Sequence, residues 1–182
     1  MDRPAGAWNL VVTAQEGGGK RLRRALRPLV ELEWSPFRNV AFAWVPDRDA
    51  FLDAVAALKV AQPRLDEWLG KIVPIEATFV LDVPRVLTQL EELVIPWLPR
   101  LAGASFHVRV VRRGHKGVLD SHATEQALGG RIVELLEARG TAGRVDFRDP
   151  DLIVHVELVG DVGGVALVPR ALRERYPFVR VT

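Results

Sequence analysis

One stretch near the middle of the chain, residues 106–117, constrains the possible fold more than any other. Apolar side chains stand at every second position from Phe106 to Val110, the period that is typical of a half-buried strand. Gly114 and Gly117 then allow a sharp turn directly after the strand. The stretch therefore predicts a strand that runs into a glycine-bounded loop.

This strand and loop carry positive charge with no acid nearby in the sequence. Residues 93–119 contain no Asp or Glu. A basic segment at the end of a strand is a candidate surface for phosphate contacts. The alternative is a solvated edge whose charges only keep the strand in solution. The candidate contact residues are Arg109, Arg112, Arg113, His115 and Lys116.

The strand period also divides these basic residues between two faces. Arg109 and Arg113 share one face of the strand, whereas Arg112 points to the other face. We therefore expect at least one of the cations to have a structural role.

A helix and three strands are predicted after the basic loop. Asp120 or Ser121 can cap the start of the helix, and Gly140 ends it. Leu128 and Ile132 recur at helical spacing between these limits. The three strands are predicted at residues 144–147, 152–159 and 164–168.

This order of features resembles the THUMP domain family. The resemblance covers residues 82–169 and includes a helix with a mid-helix glycine, followed by a pair of strands. It implies an α/β THUMP domain, an RNA-binding module of tRNA-modifying proteins. None of the matching pieces is a catalytic signature. The most specific pieces are the run Arg112-Arg113-Gly114-His115-Lys116-Gly117 and the turn Asp149-Pro150-Asp151.

The residues before this region predict a separate domain. Their patterns give the order strand, helix, strand, strand, helix, strand, which is that of a ferredoxin-like unit. The last of these strands covers residues 71–81, and Pro74 places it at an edge. The resemblance implies the same, because such a unit often precedes a THUMP domain. The predicted fold is therefore α+β, with an N-terminal ferredoxin-like domain at residues 1–81 and a THUMP domain with a C-terminal tail at residues 82–182.

The first predicted helix carries a second cluster of positive charge. Four cations at positions i, i+3, i+4 and i+7 share one face, and no acid lies between Glu16 and Glu31. Like charges on one face repel each other, so an anionic partner would stabilise this helix. The alternative is a solvated helix face. The four cations are Lys20, Arg23, Arg24 and Arg27.

Composition excludes several classes of protein. A chain of 182 residues without Cys has no disulfide framework, no thiolate zinc site and no cysteine nucleophile. No apolar run reaches the roughly 18 residues of a membrane span, and the first residues lack the layout of a signal peptide. We therefore predict a cytoplasmic protein without membrane association.

The sequence carries no recognisable catalytic or metal-binding motif. The glycines at residues 17–19 lack the spacing of a P-loop, and the four His residues lack metal-ligand spacing. Neither a nucleophile elbow nor a dinucleotide-binding fingerprint is present. His155 shares a strand face with Glu157, which favours a structural or surface role. We expect no catalysis, no cofactor and no metal.

Two functions of different class remain. The chain is similar to the stand-alone THUMP adaptors of tRNA N4-acetylcytidine formation, which implies a non-catalytic protein that presents tRNA, held near its acceptor stem, to an acetyltransferase. The alternative is a small metabolite-binding or regulatory protein that recognises an acidic ligand. No aromatic-rich face is evident, so the RNA hypothesis favours recognition of A-form shape over the reading of single-stranded bases.

Overall fold

The chain folds as two units, described over residues 7–181 by a computed structural model. The first unit extends to Ile75 and also includes Arg173–Arg180. The second unit contains Glu76–Leu172. Both helices and sheets are present, so the fold is α+β as predicted.

The border between the units lies before the predicted one. The sequence predicts domains at residues 1–81 and 82–182, whereas Glu76 already belongs to the second unit and Arg173–Arg180 group with the first. The ends of the predicted domains, residues 1–6 and Thr182, lie outside the described residues.

A four-stranded antiparallel sheet frames the first unit. Its elements follow along the chain as β1 (Leu10–Ala14), α1 (Gly19–Leu26), β2 (Glu33–Trp34), β3 (Val40–Ala43), α2 (Arg48–Ala61) and β4 (Leu69–Pro74). The strand order across the sheet is β2-β3-β1-β4, and all pairs are antiparallel. The order along the chain is the predicted one. The assignment of this unit to the ferredoxin-like fold rests on that order and stays a prediction.

Local sequence signals set the helix limits of the first unit. Asp47 caps α2 by accepting a hydrogen bond from the backbone N–H of Ala50 at 2.9 Å. α1 ends at Leu26, two residues before Pro28, which cannot continue a helix.

The stretch predicted as one strand at residues 71–81 forms two strands in different sheets. β4 pairs with β1, and β5 (Ala77–Val80) belongs to the sheet of the second unit. The backbone N–H of Ile75 donates to Asn9, whereas that of Glu76 donates to Val165, each at 2.8 Å. Alternation of apolar residues continues across this point, so the sequence pattern does not show the change of sheet.

The second unit is built on a five-stranded mixed sheet. After β5 its elements are α3 (Val86–Val94), α4 (Leu98–Leu101), β6 (Ser105–Arg113), α5 (Ser121–Glu137), β7 (Arg144–Val145), β8 (Leu152–Val159) and β9 (Val162–Pro169). The strand order is β5-β9-β8-β6-β7. β6 runs parallel to β7 and β8, and the other pairs are antiparallel.

Apolar side chains of the sheet, α3 and α5 form the core of the second unit. Val108 and Val110 of β6 are buried together with Leu90 of α3 and with Leu128 and Ile132 of α5. The buried side of β6 is the one that its two-residue period predicts, and the buried side of α5 is the one that its helical spacing predicts. No helix in the described residues is long and apolar enough to span a membrane.

The C-terminal tail begins with a helix that the sequence did not reveal, and the residues after this helix are buried. After α6 (Arg170–Arg175), Tyr176 and Phe178 are buried within the first unit. The backbone N–H of Ile72 donates to the Phe178 carbonyl at 2.9 Å. The Tyr176 hydroxyl donates to Asp53 Oδ1 at 2.6 Å and holds the pKa of Asp53 below its ordinary value.

Candidate nucleic-acid interface

The four cations predicted on α1 line one groove of the first unit, here called the basic groove. Their side chains are exposed around a cleft of about 650 Å³. Residues 30–32 form the rest of its lining and contribute one acid, Glu31. Leu22 and Leu26 are fully buried and fix the opposite face of α1 against the unit. The cations of the groove are Lys20, Arg23, Arg24 and Arg27.

These four side chains have no hydrogen-bond or ion-pair partner within residues 7–181. Their spacing brings like charges within one helical turn of each other, which disfavours the helix unless an anion is bound. Arg21 is exposed on the same helix but does not line the groove. The basic groove is therefore a concentrated positive surface, and Arg21 offers an internal comparison.

Two cations of β6, Arg109 and Arg113, have acidic partners that come from distant parts of the sequence. Arg109 Nη1 lies 3.5 Å from Glu125 Oε1 of α5, and the same oxygen accepts a hydrogen bond from the backbone of Val110 at 2.8 Å. Arg113 Nη1 donates to Oε2 of the fully buried Glu157 at 2.5 Å. Arg113 thus has a structural role in the sheet, whereas Arg109 keeps a half-exposed side chain beside its carboxylate.

The glycine-bounded loop after β6, residues 114–117, is a fixed turn, here called the basic loop. Gly114 and Gly117 have φ values of 99° and 81°, in the left-handed region that glycine tolerates. His115 adopts a φ of 50°, which is costly for a residue with a side chain unless its surroundings hold it. Its Nε2 lies 3.2 Å from the Gly160 carbonyl oxygen and 3.3 Å from Asp161 Oδ1. Because both neighbours are acceptors, Nε2 carries a proton.

Arg112 and Lys116, the remaining two cations of this region, differ in burial: Arg112 is half-buried with a buried Nε, and Lys116 is exposed. Arg112 donates to the Gly114 carbonyl through Nη1, and its Nε has no hydrogen-bond partner in the described part of the chain. Lys116 is exposed at the tip of the basic loop and has no side-chain partner among residues 7–181. Of the five basic residues predicted here, Arg109 and Lys116 are exposed, and Lys116 has no acidic partner among the described residues.

The start of α5 beside the loop is already capped by an acid. Asp120 accepts a hydrogen bond from the backbone N–H of Ala123 at 2.9 Å, and this bond holds the pKa of Asp120 below its ordinary value. Arg112, Ser121 and His122 line the adjacent shallow cleft. Because the Asp120 carboxylate occupies the helix N-terminus, an anion in this region would meet the arginine and lysine side chains and not the helix dipole.

An aromatic pair of one exposed ring and one buried ring lies at the opposite end of β6 from the basic loop. The ring of Phe147 is 78% exposed and stacks on His107, with 5.7 Å between ring centroids and 25° between ring planes. Pairing of β6 with β7, in which Phe106 lies opposite Val145, brings these distant residues together. The sequence contains both residues, but only the parallel pairing reveals that they are neighbours.

His155 lies in β8 and is buried inside the second unit. Its Nε2 lies 3.1 Å from Glu157 Oε1, and both side chains are fully buried, so His155 has a structural role rather than a surface one. Within residues 7–181, no group of three or more His, Asp or Glu side chains is arranged to hold a metal ion.

The second unit matches a known domain family. Residues 84–168 match the THUMP domain, which contains the basic loop, α5 and the aromatic pair. The chain therefore contains a THUMP domain, and this domain indicates RNA binding in tRNA modification. No curated protein matches the sequence significantly.

Solved structures share the fold over most of this chain. TrmN from Thermus thermophilus is 26% identical with a TM-score of 0.59, and the match covers 94% of this chain and 48% of that one. PH1313 from Pyrococcus horikoshii Ot3 is 12% identical with a TM-score of 0.60, covering 89% and 54%. A 4-thiouridine synthetase, solved with RNA and bound ATP, is 13% identical with a TM-score of 0.54, covering 89% and 41%. The chain thus spans about half of these proteins or less.

Proposed function

We propose that this protein is a non-catalytic tRNA-binding protein that presents tRNA to a modifying enzyme, an N4-acetylcytidine acetyltransferase. One observation carries the RNA-binding part of the proposal. The four cations of the basic groove have no partner in the described residues, and they lie in the unit that precedes a THUMP domain. Phosphates are the chemical groups that such a row of side chains binds best.

The basic groove and the basic loop supply different kinds of contact. Arginine forks in the groove suit phosphates because one guanidinium can bond two oxygens at once. In the second unit Lys116, Arg112 and Arg109 are assigned to phosphate contacts, and Arg113 and His115 to holding the strand end and the loop in place. A-form RNA displays its phosphates and 2′-hydroxyls, so this set of donors recognises the shape of an acceptor stem and not its base sequence.

The adaptor role rests on the resemblance of a ferredoxin-like unit followed by a THUMP domain, and of the run Arg112-Arg113-Gly114-His115-Lys116-Gly117, to the stand-alone adaptors. An RNA complex among the proteins that share this fold supports RNA as the ligand. In this proposal the chemistry belongs to the partner enzyme, and the protein described here supplies tRNA affinity and orientation.

The first experiment measures binding to whole tRNA, an acceptor minihelix and an unrelated RNA duplex. The Lys20→Ala/Arg24→Ala variant removes two groove cations, and Arg21→Ala is the matched control on the same helix. We expect whole tRNA to bind most tightly, the groove variant to lose at least tenfold in affinity, and the control to bind like the wild type. Equal losses in both variants, or no preference for tRNA, would contradict the proposal.

The second experiment tests the adaptor role itself. The acetyltransferase is assayed on tRNA with and without this protein, and acetylated cytidine is counted by mass spectrometry. We expect product to depend on the wild-type protein and to fall in proportion to the affinity lost by the groove variant. Acetylation that proceeds equally well without the protein would refute the adaptor role and leave tRNA binding intact.

The volume of the basic groove also suits the alternative function, which is recognition of a small acidic ligand. Its 650 Å³ falls within the range of about 300–1,000 Å³ that is common for small-molecule sites. An acidic metabolite would neutralise one or two cations and would show a shallow salt dependence, whereas RNA would show a steep one.

A further inference from the structure

We infer that a cleft beside β6 receives one unpaired base of the bound RNA, which stacks on Phe147; this inference rests on the proposed RNA-binding function. The cleft, here called the aromatic cleft, has a volume of about 230 Å³. It lies between the His107–Phe147 pair on one side and the middle of α5 on the other. The side chains of α5 at its edge are His122, Glu125 and Gln126, next to Gly129 and Gly130.

The exposed phenylalanine is held by a rigid turn. The backbone N–H of Asp146 donates to Phe106 at 2.9 Å, and the Asp146 carbonyl oxygen lies 3.1 Å from His107 Nδ1. Because a carbonyl only accepts, Nδ1 is the donor and the imidazole ring is fixed behind Phe147. The Asp146 carboxylate accepts hydrogen bonds from the backbone N–H groups of Arg148 and Asp149 at 2.9 and 3.2 Å. The stacking surface therefore needs little ordering when a ring binds to it.

Two adjacent glycines form the opposite wall without a packing reason inside the protein. A Cβ atom at Gly130 would meet nothing within 4 Å, and one at Gly129 would meet only Val108 Cγ2 at an ordinary 3.8 Å. Each glycine in a helix interior is less favourable than alanine by about 1 kcal/mol. The pair instead leaves the helix backbone open to a flat group in the aromatic cleft.

The size and lining of the aromatic cleft suit one base. Its volume lies below the range of about 300–1,000 Å³ that drug-sized ligands occupy, so a single ring system fits better than a larger molecule. Most of the lining is apolar, and the Gln126 amide, exposed and without a hydrogen-bond partner in residues 7–181, can donate to and accept from a base edge.

Positive charge beside the aromatic cleft selects a base that is attached to phosphates. Arg148 follows Phe147 directly, is exposed, and has no side-chain partner in the part of the chain that the structure describes. Arg109, on the same strand as His107, is half exposed but lies 3.5 Å from the carboxylate of Glu125, which lines the cleft, so Arg148 is the cation that remains for a phosphate. An apolar cleft whose exposed phenylalanine is followed directly by an arginine without a partner in the described residues matches a nucleotide of an RNA better than an uncharged apolar ligand or a protein side chain.

The test uses a set of acceptor-stem duplexes that share one paired region. One is blunt, and the others carry a single-stranded 3′ extension, a 5′ extension or an internal bulge, each with 2-aminopurine at the unpaired position. The protein variants are Phe147→Ala, which removes the stacking surface, and Gly130→Leu, which fills the cleft and favours the helix. Val80→Ala, at a valine that is 76% exposed elsewhere in the second unit, is the control.

We expect Phe147→Ala and Gly130→Leu to weaken binding of one of the RNAs with an unpaired base by about tenfold. Both variants should bind the blunt duplex like the wild type. The wild type and Val80→Ala should quench the 2-aminopurine fluorescence of that RNA, and the two cleft variants should not. The RNA that responds identifies whether the base comes from a 3′ end, a 5′ end or a bulge.

Different results would separate this inference from the proposed function. If both cleft variants bind all the extended RNAs as tightly as the wild type does, the inference is overturned. The proposed function would still be supported if Lys20→Ala/Arg24→Ala loses salt-sensitive affinity for the blunt duplex. Equal weakening of blunt and extended RNAs by the cleft variants would also overturn it, because the cleft would then contact the RNA backbone. Failure of the wild type to bind any RNA would refute the function and the inference together.

Discussion

Arg113 Nη1 lies 2.5 Å from Glu157 Oε2 and so connects the end of β6 to a carboxylate that is fully buried in β8. The other oxygen of Glu157 lies 3.1 Å from His155 Nε2. In the sequence Arg113 belongs to an acid-free basic run, yet in the fold only 18% of its side chain is exposed. The most basic part of the chain thus contains a residue that neutralises a charge inside the sheet.

We predict that Arg113→Ala strongly destabilises the second unit. Removing one partner of a buried ion pair costs about 3–5 kcal/mol, because the other charge remains buried. His155 still contacts Glu157, so we expect the lower end, about 3 kcal/mol. Urea denaturation measures the free energy of unfolding, with Arg113→Lys as the charge-conserving control. A loss below about 1 kcal/mol would show that Glu157 does not depend on Arg113.

Lys116→Ala should have the opposite effects to Arg113→Ala, with little change in stability and weaker binding of tRNA. Lys116 is exposed on the basic loop, and its side chain has no partner among residues 7–181, so we expect the free energy of unfolding to change by less than about 0.5 kcal/mol. Affinity for tRNA should fall, since one phosphate contact is lost. Thermal unfolding and tRNA titration on the same preparation check both statements. A Lys116 variant that unfolds more easily but binds normally would reverse the roles assigned to Lys116 and Arg113.

The contrast between these two residues shows where sequence reasoning reaches its limit. Local periods predict β6, α5 and β8 correctly, because each depends on neighbours within a few positions. Which acid pairs with which cation depends instead on how distant parts of the chain pack together. Glu125 and Glu157 pair with Arg109 and Arg113 of β6 from a helix and a strand that lie later in the chain. The absence of acids next to β6 in the sequence therefore overstates its free positive charge.

The change of sheet after β4 was hidden from the sequence for a related reason. Alternation indicates that residues 71–81 are extended but does not identify the partner strand. The aromatic cleft was missed because His107 and Phe147 become neighbours only through the parallel pairing of β6 and β7. By contrast, helical spacing alone predicts the cluster of cations that lines the basic groove, because three of them lie on α1 and Arg27 follows it directly.

Single substitutions in the basic groove should change the salt dependence of binding one step at a time. Each phosphate contact contributes roughly 0.7–0.9 to the slope of log affinity against log salt concentration. We predict that Arg23→Ala and Arg27→Ala each reduce the slope by about that amount. Arg21→Ala should leave the slope unchanged, because Arg21 does not line the groove. A slope that responds equally to all three substitutions would indicate a diffuse field and no defined groove contact.

The C-terminal tail should be required for the stability of the first unit. Phe178 is 3% exposed and accepts a backbone hydrogen bond from Ile72 of β4. Replacing a buried phenylalanine with alanine costs about 3–5 kcal/mol, and we expect Phe178→Ala to fall in this range. Arg180→Ala, a nearby exposed position, is the control. Thermal unfolding within a few degrees of the wild type would show that the tail is not part of the first core.

Acid should weaken the turn that begins β8. Asp151 accepts hydrogen bonds from the Ser105 hydroxyl at 2.6 Å and from its backbone N–H at 2.8 Å, and these hold the pKa of Asp151 below its ordinary value of 3.8. A carboxyl whose pKa is lowered by folding stabilises the protein above the unfolded pKa, and this contribution is lost as pH falls through the folded pKa.

We therefore predict that the stability difference between the wild type and Asp151→Asn is present at neutral pH and shrinks below about pH 4. Urea denaturation at a series of pH values measures this difference. If the two proteins differed by the same amount at neutral and acid pH, ionisation of Asp151 would not be the cause of the stabilisation.

The most direct test of the central claim, that the unpartnered cations bind RNA phosphates, is the affinity of the wild type for whole tRNA between about 50 and 200 mM salt. The five cations without a partner in the described residues, four of the basic groove and Lys116, predict a log–log slope of about −4 or steeper and a loss of affinity of roughly 250-fold or more over this range. Contacts from Arg112 and Arg109 would make the slope steeper. A slope of about −1 or shallower would contradict the account, because it would mean that one small anion or none is displaced when the ligand binds.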